Sequence, residues 1–374
     1  MEIEKIARRV CQNFKPYIAG KSIESLKKEL GLRLIIKLAS NENPLGISHK
    51  VIKAIRVNLP KVFFYPDSNA CELKKNLSDK YVLPVDNIFL GAGSDEIIEL
   101  IARVFFTHED EIIISKHSFT RYAMAIQLME AKAVVIPMRN DLTYDLRAIA
   151  KTCNKHTKAI FITNPNNPTG TYNTKHEFLE FLENLTLNKF SVKPLVILDE
   201  AYFEYASLIK DYPNSINFLE RNPNLIILRT FSKIYGLAGL RVAYGFASKI
   251  ITNYIEKIRP PFNVNSLAQV AASAAIMDEM QIIKSQKYVE KEKKYLYEEF
   301  SKLKIKYVKS VANFILFSSL PLKGNELFKK LLREGVIIRA MDEYELPFYV
   351  RVTIGLHKEN KLFIKKLRKI ICIK

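Results

Sequence analysis

Seven short apolar runs, rich in β-branched residues, recur between residues 88 and 246 and constrain the fold of this 374-residue chain more than any other feature. They cover 88–90, 111–114, 133–136, 159–163, 195–198, 225–228 and 242–246. Most are apolar at consecutive positions, which is typical of strands buried on both faces of a sheet. Helical patterns at 95–106, 119–131 and 175–185 separate several of them. This alternation predicts an α/β fold in which helices cover both faces of a mostly parallel sheet.

The pattern changes after Pro260-Pro261. A long helical region is predicted from 267 to about 304, with further helices at 324–334 and 358–370 and strand-like stretches at 313–318, 336–339 and 349–354. This mixture predicts a second, smaller α+β domain. We therefore expect an N-terminal arm at 1–44 that also contributes to the small domain, a large domain at 45–260 and a small C-terminal domain at 261–374.

The composition disfavours several classes of protein. No run reaches the ~18 apolar residues that a membrane-spanning helix needs, and the first residues, Met1–Lys5, form no apolar signal core. The four cysteines are too widely spaced for a CxxC metal or redox motif. We expect a cytoplasmic protein with reduced thiols, without a membrane partner, and the sequence gives no reason to expect a metal.

The chain carries a formal net charge of +19. One interpretation is binding of nucleic acid or attraction of anionic substrates, and the other is a lysine-rich solvated surface. The lysines are spread along the chain, and their densest runs, 284–294 and 358–374, alternate with apolar residues as amphipathic helices do. Without a helix-turn-helix, zinc-finger or RNP pattern, we favour the solvated surface and expect no nucleic-acid partner.

A lysine and an arginine lie in one glycine-containing stretch after the run at 225–228. Lys233 ends the segment Thr230-Phe231-Ser232-Lys233, and Arg241 follows Gly236-Leu237-Ala238-Gly239-Leu240. A lysine near the carboxyl edge of a parallel sheet is well placed to meet a ligand. When desolvated beside other cations it has a lowered pKa and can form an imine. The alternative interpretation is a solvated lysine in a turn.

Two further polar clusters follow apolar runs. Asp199 directly follows the run at 195–198. A carboxylate there would face the ligand crevice and could bind Mg²⁺ or a cationic ring nitrogen. Alternatively it caps the next element. Asn167 lies in the proline- and asparagine-rich segment 163–170, which demands a fixed turn. The position of this turn makes the Asn167 side chain available to a ligand.

The fourth cluster, Gly91-Ala92-Gly93-Ser94, lies between a strand and a helix whose N-cap we expect to be Ser94. Glycines at a helix N-terminus form an anion site from backbone N–H groups. The segment lacks the lysine of a Walker A loop and the full GxGxxG spacing. A single phosphate therefore fits better than a nucleotide.

Together, these clusters resemble the aspartate-aminotransferase-like superfamily of pyridoxal 5′-phosphate (PLP) enzymes, which has fold type I. The resemblance lies in their order: Asn-Pro-Thr-Gly at 167–170, Asp-Glu-Ala-Tyr at 199–202, Ser-Lys at 232–233 and a glycine-containing stretch ending in Arg241. Within the superfamily the chain is most similar to the histidinol-phosphate aminotransferases, in the segments 15–24, 37–46, 65–67 and 349–355. The resemblance implies a seven-stranded sheet in a large PLP-binding domain.

The resemblance also implies roles around the cofactor, which serves as an electron sink. Lys233 would hold PLP as a Schiff base and, once displaced, move a proton between substrate and cofactor. Asp199 would pair with the pyridinium nitrogen, and Tyr202 and Asn167 would hydrogen-bond the phenolic oxygen. Lys233, Asp199 and Tyr202 are thus the implied catalytic residues.

The phosphate of PLP would lie at the start of the predicted helix, and the enzyme would be a homodimer with shared sites. Phe119 would stack on the cofactor ring, and Tyr65 would reach the phosphate from the partner subunit. The implied cofactor-binding residues are Ser94, Asp95, Phe119, Asn167, Asp199, Tyr202, Thr230, Ser232, Lys233, Arg241 and Tyr65.

Four residues are implied on the substrate side. Arg351 would hold the carboxylate of the amino donor at two points. Arg339 and Tyr17 would lie near the substrate phosphate, and Asn43 in the substrate-side loop. Alternatively, Tyr17 packs within the N-terminal arm.

Arg339 also has an alternative, which is an ion pair with a local acid such as Asp342 or Glu343. An unpaired charge in the middle of a strand would be costly, and this favours a functional role for Arg351.

The implied reaction is transamination of L-histidinol phosphate with 2-oxoglutarate, giving imidazole acetol phosphate and L-glutamate in histidine biosynthesis. An aromatic amino-acid aminotransferase of the same subfamily is the nearest alternative. A PLP-dependent decarboxylase of a phosphorylated amino acid is the second. A nucleic-acid-binding protein with an aminotransferase-like domain has only the net charge in its favour.

Overall fold

The computed structural model describes residues 2–14, 16, 31–32, 34–187 and 192–371. Its strands are β1 (Ile36–Lys37), β2 (Ile88–Gly91), β3 (Glu111–Ser115), β4 (Lys132–Ile136), β5 (Thr157–Thr163), β6 (Leu195–Asp199), β7 (Leu225–Thr230), β8 (Ala243–Phe246), β9 (Phe314–Ser318), β10 (Val336–Ile337), β11 (Arg339–Ala340) and β12 (Tyr349–Thr353). Its α-helices are α1 (Glu2–Ile6), α2 (Arg9–Gln12), α3 (His49–Asn58), α4 (Cys71–Tyr81), α5 (Ser94–Phe105), α6 (Thr120–Leu128), α7 (Leu146–Thr152), α8 (Lys175–Leu187), α9 (Phe203–Ala206), α10 (Lys249–Ile258), α11 (Ser266–Ile276), α12 (Glu279–Lys302), α13 (Gly324–Arg333) and α14 (His357–Ile371). No helix in these ranges is both long and apolar enough to cross a membrane.

Seven strands form one sheet in the order β2-β8-β7-β6-β5-β3-β4. Strand β8 is antiparallel to its two neighbours, and all other neighbouring strands are parallel. The predicted α/β fold with a mostly parallel seven-stranded sheet is confirmed. Because β8 alone is reversed, the carboxyl ends of the other six strands lie at one edge, where open α/β sheets bind their ligands.

The strands are apolar at consecutive positions because both faces of the sheet are buried. In β7, Leu225 and Ile227 belong to one hydrophobic cluster, whereas Ile226 and Leu228 belong to the other. The first cluster includes side chains from α7 and α8, and the second includes side chains from α5, α6 and α10. Helices therefore cover both faces, as the sequence predicts.

The C-terminal part contains an antiparallel sheet in the order β11-β12-β9, and β10 pairs in parallel with β1. The stretch at 336–339, which we predicted as one strand, is thus divided between two sheets. The N-terminal segment joins the C-terminal part through β1.

The predicted helix from 267 to about 304 is instead two helices, α11 and α12, separated by Met277-Asp278. Helix α11 packs on α3 and α4, whereas α12 packs on α14, so the chain must change direction between them. An ion pair of 3.3 Å between Lys50 Nζ and Asp278 Oδ1 joins this break to α3. The domain limits at 44 and 260 stay a prediction.

The packing of β8 on β2 leaves no space for a side chain at Gly245. A Cβ atom there would lie 2.2 Å from the ring of Phe89, which is paired with Gly245 across the two strands and fully buried. Gly245→Ala is therefore expected to lower the free energy of unfolding by roughly 1–3 kcal/mol. Denaturant unfolding measures this, with Gly239→Ala as the control, since a Cβ there has no atom within 4 Å. Equal midpoints for the two variants would contradict the packing argument.

Candidate active site

The carboxyl edge of the large sheet forms the floor of a cavity of about 470 Å³. The loops after β5 and β7 carry Asn167 and Lys233, and Asp199 is the last residue of β6. The start of α5 follows β2. The three-stranded sheet and the segment around β1 supply the opposite wall. Residues far apart in the sequence meet there because parallel strands end at the same edge.

The cavity brings together most of the residues that the sequence implicates. It is lined by Ser94, Asp95, Phe119, Asn167, Asp199, Tyr202, Thr230, Ser232, Lys233, Arg241, Arg339 and Arg351. Two predicted site residues that the structure describes are not brought into it. Tyr65 and Asn43 lie elsewhere, and Tyr17 falls outside the described residues.

Lys233 extends into the cavity from the loop after β7. Its Nζ donates a hydrogen bond of 3.2 Å to the carbonyl oxygen of Ser40. Burial, with the positive charges of Arg351 and Arg241, lowers the pKa of Lys233 to about 8. An amine with such a pKa is partly neutral near pH 7.5, and only the neutral amine attacks a carbonyl to form an imine.

The carboxylate of Asp199 is buried at the end of β6. Its Oδ2 accepts a hydrogen bond of 2.6 Å from the Tyr122 hydroxyl, and its Oδ1 accepts one of 3.0 Å from the backbone N–H of Ala201. Burial, aided by the charges of Asp95 and Glu200, raises the pKa of Asp199 to about 6. A buried carboxylate of this kind is suited to pair with a cationic ring nitrogen.

Tyr202 is held by a chain of polar side chains. Its hydroxyl accepts a hydrogen bond of 2.8 Å from Asn41 Nδ2, and Asn41 Oδ1 accepts one of 3.0 Å from the Thr353 hydroxyl. Asn41 has a left-handed backbone with φ of +57°, which asparagine tolerates better than most residues. Burial raises the pKa of Tyr202, so its hydroxyl remains protonated and can donate to a ligand oxygen.

The N-terminus of α5 lies at the cavity, and a helix N-terminus is suited to bind an anion. Gly93 has φ of +89°, and a Cβ atom there would lie 2.3 Å from Arg241 Nη2. The prediction that Ser94 is the N-cap is wrong, because Gly93 occupies that position and Ser94 is the first helical residue. Glu96 instead accepts a hydrogen bond of 2.6 Å from the N–H of Ala92. The glycine thus allows the guanidinium to approach the helix N-terminus.

Two arginines of the C-terminal sheet face the cavity from paired positions on β11 and β12. Arg351 donates to the carbonyl oxygen of Ala39 at 2.8 Å and also to Asn167 Oδ1. Its Nε is buried without a hydrogen-bond partner among the described residues. Arg339 is bonded to Glu343, at 3.0 Å from Nε and 2.5 Å from Nη2, so the predicted ion pair with a local acid is present.

Asn43 and Tyr65 have other surroundings. Asn43 Nδ2 donates to the carbonyl oxygen of Ile234 at 2.6 Å and to Ser285 Oγ at 3.0 Å. It therefore supports the backbone next to Lys233 and does not face the cavity. Tyr65 is 82% exposed and stacks on Phe262 with ring centroids 4.8 Å apart.

Asn41 and Tyr122 complete the site but were not among the predicted site residues. Asn41 lies in the segment 37–46 that carries the family resemblance, and its contact with Tyr202 spans 161 positions. Tyr122 lies in the first turn of α6, three residues after Phe119, which is the N-cap residue of that helix. Nothing local in the sequence indicates that its hydroxyl reaches Asp199, 77 positions away.

Residues 33–367 match the family model for aminotransferase class I and II. Histidinol-phosphate aminotransferase 2 of Carboxydothermus hydrogenoformans is 43% identical over 98% of this chain and 99% of its own. The histidinol-phosphate aminotransferase of Caldicellulosiruptor saccharolyticus is 43% identical over 97% and 99%, respectively. The crystal structure of histidinol-phosphate aminotransferase from Clostridium acetobutylicum has a TM-score of 0.82 at 27% identity, covering 90% of this chain and 99% of that one. The chain belongs to the class I and II aminotransferase family, as the resemblance predicted.

The buried charge of Asp199 is expected to reduce stability in the cofactor-free protein. Its folded pKa of about 6 lies above the ordinary value of 3.8, so the free energy of unfolding falls as the pH rises from about 4 through about 6. Asp199→Asn should therefore raise the free energy of unfolding at pH 7.5 by roughly 2–3 kcal/mol, and by much less at pH 4.5.

Denaturant unfolding at the two pH values tests this. Asp86→Asn is the control, because Asp86 is exposed and its hydrogen bond to Lys249 lowers its pKa. The control should not be stabilised at pH 7.5. A gain of equal size at both pH values for Asp199→Asn would contradict the assigned pKa shift.

Proposed function

We propose that this protein is a PLP-dependent transaminase that transfers the amino group of L-histidinol phosphate to 2-oxoglutarate, giving imidazole acetol phosphate and L-glutamate in histidine biosynthesis. The observation that carries the proposal is the full-length similarity, at 43% identity, to proteins named histidinol-phosphate aminotransferase. The cavity supports it, because one space holds an amine of lowered pKa, a buried carboxylate and several arginines.

The residues of the cavity fit PLP. An ionised carboxylate has about four acceptor sites, and Asp199 uses two of them within the protein, which leaves capacity for the ring nitrogen. The close approach of Arg241 to Gly93 and the helix N-terminus suits a phosphate. Ser94 and Ser232 line the same end of the cavity and can donate hydroxyl groups to that phosphate.

Bound PLP withdraws electrons from the carbon that carries the amino group, so that a proton on this carbon becomes acidic. Lys233 Nζ is the base that takes the proton and returns it to the neighbouring carbon. Its lowered pKa suits this task, because a base works best when its pKa lies near the working pH. Tyr202 and Asn167 orient the ring through its phenolic oxygen, and Asp199 holds the ring nitrogen protonated.

The two substrates differ in their anionic groups, and the arginines accept both kinds. A guanidinium binds a carboxylate or a phosphate at two points. Arg351 has a buried Nε without a hydrogen-bond partner in the part of the chain that the structure describes, which suits the carboxylate of glutamate or 2-oxoglutarate. We assign Arg339 to the substrate phosphate, which would have to share it with Glu343.

The proposal includes a homodimer in which Tyr65 reaches the phosphate of the partner's cofactor. Tyr65 belongs to an exposed apolar patch that also contains Val57, Leu59, Val62, Phe63, Phe64 and Phe262. A patch of adjacent aromatic residues in water favours a protein contact. Tyr65 does not line the cavity of its own chain, which agrees with a site shared between two subunits. We also propose a cytoplasmic location, with Cys11, Cys71 and Cys153 as free thiols.

The dimer predicts that Phe64→Asp lowers the molar mass measured by sedimentation towards that of one chain and weakens PLP binding. The reason is that a charge at the centre of the patch must be desolvated on association. Leu320→Asp is the control, because Leu320 does not belong to this patch but is exposed to the same degree as Phe64, at 62% and 63%, respectively. A monomeric wild-type protein, or an unchanged mass for Phe64→Asp, would contradict this part of the proposal.

The reaction is tested by incubating the purified holoenzyme with L-histidinol phosphate and 2-oxoglutarate and measuring L-glutamate. Formation of glutamate that is abolished in Lys233→Ala is the expected result. Arg351→Gln should raise the KM for 2-oxoglutarate about tenfold or more, since a charge-assisted pair is lost. No glutamate from these substrates would contradict the proposal.

The same assay separates the alternatives. Glutamate formed only from aromatic amino acids would indicate an aromatic aminotransferase. Release of CO₂ from a phosphorylated amino acid, without glutamate, would indicate a decarboxylase.

A further inference from the structure

A chain of three hydroxyl groups ends on the buried carboxylate of Asp199. The Tyr122 hydroxyl lies 2.6 Å from Asp199 Oδ2 and 2.8 Å from Thr163 Oγ1, and the Tyr144 hydroxyl lies 3.3 Å from Thr163 Oγ1. Tyr122 and Tyr144 are at most 1% exposed, so the contacts cannot be exchanged for bulk water.

The carboxylate fixes the direction of the hydrogen bonds. An ionised Asp199 only accepts, so Tyr122 must give its single proton to Oδ2. Thr163 then donates to the Tyr122 oxygen. The Tyr144 hydroxyl lies 3.3 Å from both Thr163 Oγ1 and Asn166 Oδ1, either of which can accept its proton. Hydrogen bonds to an ionised acceptor are the stronger ones, and each donor in such a chain polarises the next.

Packing holds the Tyr122 ring in the orientation that this contact needs. The ring stacks on Phe161 with centroids 4.5 Å apart and an interplanar angle of 13°. Phe119, which lines the cavity, packs against the same ring at a centroid distance of 5.7 Å and an interplanar angle of 88°. The ring would pack equally well without its hydroxyl, so packing alone does not account for the bond to Asp199.

We propose that Tyr122 is a positioning residue that keeps Asp199 ionised and oriented towards the cofactor ring nitrogen. The inference rests on the proposed function, because it needs a cofactor whose ring nitrogen pairs with Asp199. Tyr122 acts through Asp199 and does not line the cavity itself.

The charges around Asp199 show why such a donor is needed. Asp95 and Glu200 are negative and favour the protonated form of Asp199, as burial does. The hydrogen bonds from Tyr122 and from the Ala201 N–H oppose them and lower the pKa of Asp199. A protonated Asp199 would be neutral, and it would lack the negative charge that favours the protonated form of the ring nitrogen.

The experiment compares two cofactors in the holoenzyme. The dissociation constant is measured from the cofactor absorption for PLP and for its carbocyclic analogue, in which a C–H group replaces the ring nitrogen. Tyr122→Phe should raise the dissociation constant for PLP about tenfold, because one charge-assisted hydrogen bond is lost. Tyr122→Phe should change the dissociation constant for the analogue by no more than about twofold, because the analogue makes no hydrogen bond with Asp199.

Tyr144→Phe is the matched control. It removes a buried tyrosine hydroxyl from the far end of the same chain of hydrogen bonds without touching Asp199, and it should weaken PLP binding by less than about threefold. If Tyr122→Phe does not fold, Thr163→Val, which removes the donor to Tyr122, should give the same discrimination between the cofactors with a smaller effect.

Equal weakening for both cofactors would mean that Tyr122 has only a packing role, and no weakening for either would mean that its hydroxyl is dispensable. Either result overturns the inference. Failure of the proposed function is distinguishable, because the wild-type protein would then bind no PLP or make no glutamate, whatever residue stood at position 122.

Discussion

The burial of one negative charge, the carboxylate of Asp199, is the constraint on which the rest of the site depends. A carboxylate in the protein interior is costly unless hydrogen bonds or a cation compensate for it. Tyr122 and the backbone of Ala201 compensate for it in part, and the shift of its pKa to about 6 shows that the compensation is incomplete. In the proposed function, a cationic ring nitrogen would offset the remaining cost, so we expect the site to be more stable with its cofactor than without it.

The parallel sheet makes this arrangement possible. Three neighbouring parallel strands, β5, β6 and β7, end at one edge of the sheet. Asn167, Asp199 and Lys233 lie at or after the ends of these strands, so the sheet brings them to one cavity although they are far apart in the sequence. Burial shifts the pKa values of Lys233 and Asp199 in opposite directions, and nearby arginines or acids add to each shift. The lowered pKa of Lys233 favours its neutral amine. For Asp199, the hydrogen bonds from Tyr122 and Ala201 oppose the effect of burial and favour the carboxylate.

Periodicity predicted the large sheet, and local patterns at strand ends indicated Ser94, Asn167, Asp199, Lys233 and Arg241 as candidate ligand-binding residues. The family resemblance supplied the other predicted residues that line the cavity, such as Phe119 and Arg351. Contacts over long distances in sequence could not be predicted in this way. The bonds of Tyr122 to Asp199 and of Asn41 to Tyr202 depend on how α6 and the segment after β1 pack against the sheet. For Asn43 the family motif was misleading. Its place in the motif predicted a position on the substrate side, but its amide donates to the backbone carbonyl of Ile234. The division of α11 from α12 was missed because neither glycine nor proline marks the break at Met277-Asp278, and only the different packing partners of the two helices require it.

The most direct test of the account is a single half-reaction. The holoenzyme is mixed with L-histidinol phosphate without an oxo acid, and the absorption of the bound cofactor is followed. We expect one equivalent of L-histidinol phosphate per active site to remove the absorption of the aldehyde form. 2-Oxoglutarate should restore this absorption, and Lys233→Ala should show neither change. A bound cofactor whose absorption is unchanged by L-histidinol phosphate, but which is converted by another amine, would contradict the assigned substrate. Absence of a bound cofactor would contradict the role of Lys233 and Asp199 altogether.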